Sequence, residues 1–201
     1  PGALDGFELA VRAVLGQQVS VAAARTLAQR LVLAFGKPLA EPPRDLPALT
    51  HDFPTPEALA AANGGALGRL GIVRQRQAAL RALALAVAEG RLALHAGADV
   101  AATLTALEAL PGIGQWTAQY IALRALRWPD AFVAGDVALH KALGLPRGGA
   151  GSRAALALAE RWRPWRGYAV LRAWHGGSVS SPATIACNSI AVGALAVPAG
   201  A

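Results

Sequence analysis

One cysteine, Cys187, and no methionine occur in 201 residues. A lone thiol cannot close an internal disulfide, which fits a reducing compartment, and it cannot supply a four-cysteine iron–sulfur cluster. His51, His95, His140 and His175 are scattered without paired spacing, which speaks against a zinc site and leaves them as surface or packing residues. Lysine is almost absent: Lys37 and Lys141 are the two, so 17 of the 19 basic side chains are arginine. Acids number only 12, for a net charge of +7. Arginine binds phosphate through a planar, permanently charged fork, so this excess suits a polyanionic partner. Abundant Ala, Gly and Leu offer a GC-rich coding sequence as another source of arginine, so charge supports that partner without deciding it. No segment alternates long enough to predict a strand. The missing Met and the start at Pro1 predict that something upstream has been left out. Asp5 and Glu8 near the start, with no basic run before them, give no secretory signal.

Residues 176–201 lack every charged side chain. Their length would suffice for a membrane span, but Pro182, Asn188, Pro198, four serines and several glycines oppose one. The expectation is a poorly ordered tail, with residual helix at 183–195, and no membrane partner.

What is present, 54 % apolar side chains, permits one substantial core or two small lobes. The chain reads as helices parted by short breakers. Asp5 to Leu15 spaces Phe7, Leu9, Ala10, Ala13 and Val14 helically. Ser20 caps a helix that stops at Gly36. Residues 38–56 form a proline-rich loop ended by Thr55 as cap and Pro56 at the first helical position. Helices are predicted over 56–62, 65–70, 74–89, 100–109, 115–127, 137–143, 151–162 and 164–175, so the fold class is all-α.

The most informative stretch is Leu110-Pro111-Gly112-Ile113-Gly114-Gln115-Trp116-Thr117, followed by Asp136 in Phe132-Val133-Ala134-Gly135-Asp136. Pro111 ends the helix before it. Gly112 and Gly114 are expected to allow positive φ and to leave no Cβ between backbone and ligand. A helix then starts at Gln115, whose free amides and dipole attract a phosphate oxygen. By itself such a Gly-x-Gly is most often a tight interhelical turn.

The longer string, the acid after it, Trp116, Tyr120 and the run Arg161-Trp162-Arg163-Pro164-Trp165-Arg166-Gly167-Tyr168 to Trp174 together resemble the helix-hairpin-helix DNA glycosylases. Within them the chain is most similar to the 3-methyladenine DNA glycosylase II family, the AlkA type, over about residues 3–175. The resemblance implies a two-lobed helical fold over 1–175 with its active-site cleft between the lobes, lacking the family's N-terminal β-rich domain. It implies double-stranded DNA with alkylated bases as partner, a monomer, a cytoplasmic location and no cofactor. A monovalent cation at the hairpin is compatible with it.

An enzyme that cuts a base from duplex DNA must first flip the nucleotide out. Resemblance places Asp136 as the catalytic acid, stabilising the oxocarbenium-like sugar and orienting water. Asp136 also suits an ordinary helix N-cap, and both can hold. Glu108 and Asp130 read as solvated. Trp116, Tyr120 and Trp174 are the pocket aromatics for a cationic base, with core packing as their alternative, while Trp162, Trp165 and Tyr168 read as core. The hairpin residues Gly112, Ile113, Gly114, Gln115 and Thr117 are assigned to DNA, as are Gln17 and Gln18. Gln18 stands where the family places an intercalating leucine. Both glutamines could instead satisfy loop amides. Bifunctional relatives carry a Schiff-base lysine where Trp116 stands, so the expected chemistry is monofunctional hydrolysis without strand cleavage. A non-catalytic helix-hairpin-helix DNA-binding module and a helical protein-interaction domain are the alternatives.

Overall fold

The computed structural model describes residues 2–176. Of the expected tail only Gly176 is included, so its order and the helix at 183–195 lie outside the described residues. Among the described residues there are α-helices and one 3-10 turn but no strand, in agreement with the all-α expectation. The described residues divide into two compact units, with the boundary between Trp128 and Pro129.

The first unit holds α1 (Gly6–Leu15), α2 (Val21–Phe35), α3 (Pro56–Ala61), α4 (Gly64–Arg69), α5 (Arg74–Ala88), α6 (Val100–Glu108) and α7 (Gln115–Arg124). Short polar side chains start most of them. Asp5, Ser20, Thr55, Asn63 and Asp99 each accept a hydrogen bond from the backbone amide three residues on. One such cap contributes about 1 kcal/mol. α7 and α5 have no side-chain cap, and α5 begins at Val73. In α5 packing replaces the cap: Leu80, Leu83 and Ala84 are fully buried, and each buried leucine contributes about 1.5–3 kcal/mol. Around α5 the core gathers Val11, Val14 and Leu15 of α1, Leu59 of α3, Leu67 of α4, Leu107 of α6 and Ile121 of α7. The loop before α3 makes an isolated bridge between Pro38 and His51, too short to be a strand.

One predicted helix end is corrected here. α7 ends at Arg124 and not near Arg127. Arg127 adopts φ 57°, and the Trp128 amide turns back to the Ala122 carbonyl at 3.1 Å. Trp116, on the same helix, remains 36 % exposed.

The second unit holds α8 (Val137–Ala142), α9 (Gly149–Ala159), the 3-10 turn Glu160–Trp162 and α10 (Arg166–Trp174). Leu139, Ala155, Ala159, Val170 and Ala173 are buried, as is Trp162, whose ring meets Phe132 edge-on at 6.5 Å. Trp165 and Tyr168 are not core: they are 55 % and 58 % exposed and pack edge-on against each other. Asp130 is not solvated either. It is buried and bound by the Arg166 guanidinium at 2.7 Å and by Arg163. Glu108 is exposed as expected.

Burial raises the Asp130 pKa, but the hydrogen bond and charge of Arg166 and the charge of Arg163 outweigh it and hold the carboxyl below its ordinary value. A carboxyl lowered in the fold contributes stability that is present above its unfolded value, near 4, and lost as pH falls through the folded one. The melting temperature is therefore expected to fall below about pH 4. In Asp130→Asn that acid limb should flatten and the plateau at neutral pH should drop, because buried Arg166 loses its bidentate carboxylate and keeps only the looser pair with Glu160 at 3.8 Å. Thermal melts from pH 7 to 2 check this; superimposable wild-type and variant curves would refute it.

Candidate functional site

In the first unit α6 ends at Glu108 and Pro111 opens the turn toward α7. Gly112 adopts φ +77°, a left-handed conformation, and a Cβ on it would lie 3.3 Å from Ala79 Cβ. Gly114 departs from expectation. As N-cap of α7 it has φ −94° and ψ 175°, extended backbone that any residue adopts, and a Cβ there would meet nothing within 4 Å. Its side faces open space, so glycine at 114 lets an outside group approach the backbone and answers no demand of the fold. Gly114, the N-cap of α7, makes no side-chain cap hydrogen bond. Gln115 is exposed beside it.

The other hairpin residues point inward. The Ile113 side chain is 4 % exposed and its amide closes the turn onto the Leu110 carbonyl at 3.2 Å. Thr117 is buried, and its Oγ1 accepts from Gln17 Nε2 at 3.1 Å. Gln17 Nε2 also donates to the Gly112 carbonyl at 2.9 Å, and Arg76 donates to the Gln17 carbonyl at 2.6 Å. The side chains of Gln17, Ile113 and Thr117 therefore brace the hairpin against the α1–α2 loop. Gln18, next in that loop, is exposed with φ 54°. A non-glycine residue in this region is uncommon, and such strain collects at functional sites.

Trp116 and Tyr120, one turn apart on α7, stack face to face with centroids 5.3 Å apart and planes within 6°. Tyr120 also lines an open groove of about 370 Å³ with Arg12, Gly16, Val19 and Arg25. Tyr120 thus offers aromatic surface at the edge of a cavity walled by α1, α2 and their loop.

In the second unit Asp136 is the N-cap of α8, and its Oδ1 accepts from the Leu139 amide at 2.7 Å. The same oxygen accepts from Trp174 Nε1 at 2.9 Å, at the far end of α10. Two donors from different elements therefore aim one half-buried carboxylate, and an indole stands beside it. His140 on α8 is buried and donates from Nε2 to the Ala134 carbonyl at 2.6 Å, steadying the turn that delivers Asp136. Its role is packing, as read from sequence. Among the described residues no group of three or more His, Cys, Asp or Glu side chains could hold a metal ion.

The family model for HhH-GPD superfamily base excision DNA repair proteins matches residues 11–166. The chain belongs to that superfamily. It is 46 % identical over 177 residues to the probable bifunctional transcriptional activator/DNA repair enzyme AlkA of Mycobacterium tuberculosis, covering 87 % of this chain and 34 % of that protein. Identity is 41 % over 175 residues to DNA-3-methyladenine glycosylase 2 of Escherichia coli, covering 87 % of this chain and 59 % of that one. The chain thus spans about a third to three-fifths of the length of these relatives. Among solved structures, the DNA-3-methyladenine glycosidase of Bacillus halodurans superposes with a TM-score of 0.67 at 25 % identity, over 87 % of this chain and 76 % of that one.

Two features of this HhH-GPD chain were missed from sequence. The Asp130–Arg163–Arg166 cluster joins residues 33 to 36 positions apart, and the Arg76 brace reaches 59 positions back to Gln17. Neither spacing carries a local periodic signal. A hint lay in the arginines of the 161–166 run, which exceed what a solvated turn needs. No described helix is long and apolar enough to cross a membrane.

Proposed function

We propose that the protein is a monofunctional DNA glycosylase that hydrolyses the N-glycosidic bond of alkylated purines, of the 3-methyladenine and 7-methylguanine type, in duplex DNA during base excision repair. The observation that carries this is Asp136, whose carboxylate is held by the Leu139 amide and the Trp174 indole. Membership of the repair superfamily and identity to 3-methyladenine glycosylases support the substrate class.

The chemistry follows from charge. N3 or N7 alkylation makes the purine cationic, so it departs with the bonding electron pair as a neutral base and needs no acid. The sugar left behind is oxocarbenium-like, and the Asp136 carboxylate stabilises that positive charge. Water adds to C1′ and gives up a proton, leaving an abasic site. Trp174, held to Asp136 by its N–H, keeps its ring beside the reacting sugar, where a flipped cationic purine gains on the order of 1–2 kcal/mol from an aromatic face. Trp116 and Tyr120 offer further stacking surface. The outward backbone at Gly114 and Gln115 serves a DNA phosphate, and exposed Gln18 stands at the unpaired base left by flipping.

Incubation with methylated duplex DNA should release 3-methyladenine and 7-methylguanine and leave abasic sites in an uncut strand. Borohydride during turnover should trap no protein–DNA adduct, because Trp116 occupies the Schiff-base position and Lys37 and Lys141 lie in neither motif. A trapped adduct mapping to either lysine would refute monofunctional hydrolysis. Absence of base release would refute the glycosylase itself and leave a non-catalytic DNA-binding module.

A further inference from the structure

The segment 129–136 that ends in Asp136 is fastened to α10 at both of its ends. At the start, the Gly167 amide donates to the Pro129 carbonyl at 2.7 Å. Arg166 Nε and Nη2 donate to the two carboxylate oxygens of Asp130 at 2.7 and 2.8 Å, and Nη2 also donates to the Asp130 carbonyl at 2.9 Å. Both residues are 7 % exposed. The guanidinium carbon lies 5.9 Å from the centre of the Phe132 ring, two residues further along. At the other end, Trp174, the last residue of α10, donates to Asp136.

α10 spans nine residues, so roughly 12 Å of helix separates the two attachments at 1.5 Å per residue. A helix transmits a displacement of one end to the other. Any slip of Arg166 against Asp130 therefore moves the indole of Trp174 relative to the carboxylate it orients. Only a planar fork makes this set of bonds; a lysine ammonium, a compact point charge, matches the charge but not the bidentate geometry.

Resting on the glycosylase reading above, we propose that Arg166 is a positioning residue for the reaction: its bidentate clamp on Asp130 sets the register of α10 against the 129–136 segment, and thereby the Trp174–Asp136 hydrogen bond. Neither Arg166 nor Asp130 touches substrate in this role.

The test combines a signal that needs no DNA with one that does. The indole N–H resonance of Trp174 is assigned by its loss in Trp174→Phe and then followed in ¹⁵N-labelled Arg166→Lys and Asp130→Asn. Loss of the hydrogen bond should shift it upfield toward the position of a water-exposed indole. Single-turnover release of 7-methylguanine should fall at least about ten-fold in Arg166→Lys, while affinity for duplex DNA stays within about three-fold, a split that general destabilisation does not produce. Circular dichroism and melting at the assay temperature check that each variant is folded. Asp130→Asn, which keeps the shape of the side chain and one acceptor, carries the test if Arg166→Lys does not fold. An unmoved Trp174 resonance, or equal losses in base release and DNA binding, would overturn the proposal. If the wild type releases no base, the glycosylase reading fails and the indole resonance alone decides whether the clamp sets the Trp174–Asp136 bond.

Discussion

Asp136→Asn should lower base release by at least about 10²–10³-fold, the range seen when a group aimed at transition-state charge is removed. Asparagine has nearly the same shape, and its amide oxygen can still accept from the Leu139 amide and Trp174 Nε1, so the α8 cap and the indole contact survive. What disappears is the negative charge that the proposed mechanism sets against the sugar. Docking does not use that charge, so the dissociation constant for duplex DNA should change no more than a few-fold. Single-turnover excision of 7-methylguanine, measured alongside binding to the same duplex, separates the two. Turnover close to wild type would leave Asp136 a helix cap and nothing more.

Gly112→Val should damage the hairpin from inside, and Gly114→Ala should blunt it from outside. At φ +77° a β-branched residue is strained by roughly 1–2 kcal/mol, and its Cβ would press on Ala79 at 3.3 Å. The carbonyl of Gly112 also accepts from Gln17, so a shifted turn loosens the α1–α2 loop as well. Both the melting temperature and DNA affinity should fall. In Gly114→Ala the new methyl enters open space at an ordinary φ, so the fold should be untouched. DNA affinity alone should then drop, by about 10–100-fold if a backbone amide there binds phosphate, since a hydrogen bond to a charged group is worth about 1.5–3 kcal/mol. The loss should be equal on damaged and undamaged duplex, because phosphate contacts carry no base information. Full affinity in Gly114→Ala would show that the hairpin is a turn between helices and no phosphate site.

Both variants illustrate how far local sequence reaches. Ser20, Thr55 and Asp136 were legible as caps because a short polar side chain reaches an amide three residues on, within one turn of chain. Gly36, Pro56 and Pro111 marked helix ends for equally local reasons. Helical spacing of apolar residues placed α1, α2, α5 and α6 to within a residue or two. Resemblance then singled out Asp136 and Trp174, and the fold brings the two within 2.9 Å.

The remainder was decided by tertiary packing. Gly112 and Gly114 were both expected to allow positive φ, yet of the two hairpin glycines Gly112 alone uses it, because the φ of a turn residue depends on how the flanking helices meet. Trp165 and Tyr168 are aromatic and still lie at the surface, whereas Asp130 is acidic and buried: hydropathy gives a preference, and a partner such as Arg166 reverses it. The inward turn of Gln17 and Thr117 depends on a hydrogen bond between residues 100 positions apart. Composition, caps and periodicity, all carried within a few residues, settle which helices form and where they end. Which polar side chains brace the fold and which are left to meet a ligand is settled only when distant segments meet, because a donor's partner is chosen by proximity in space.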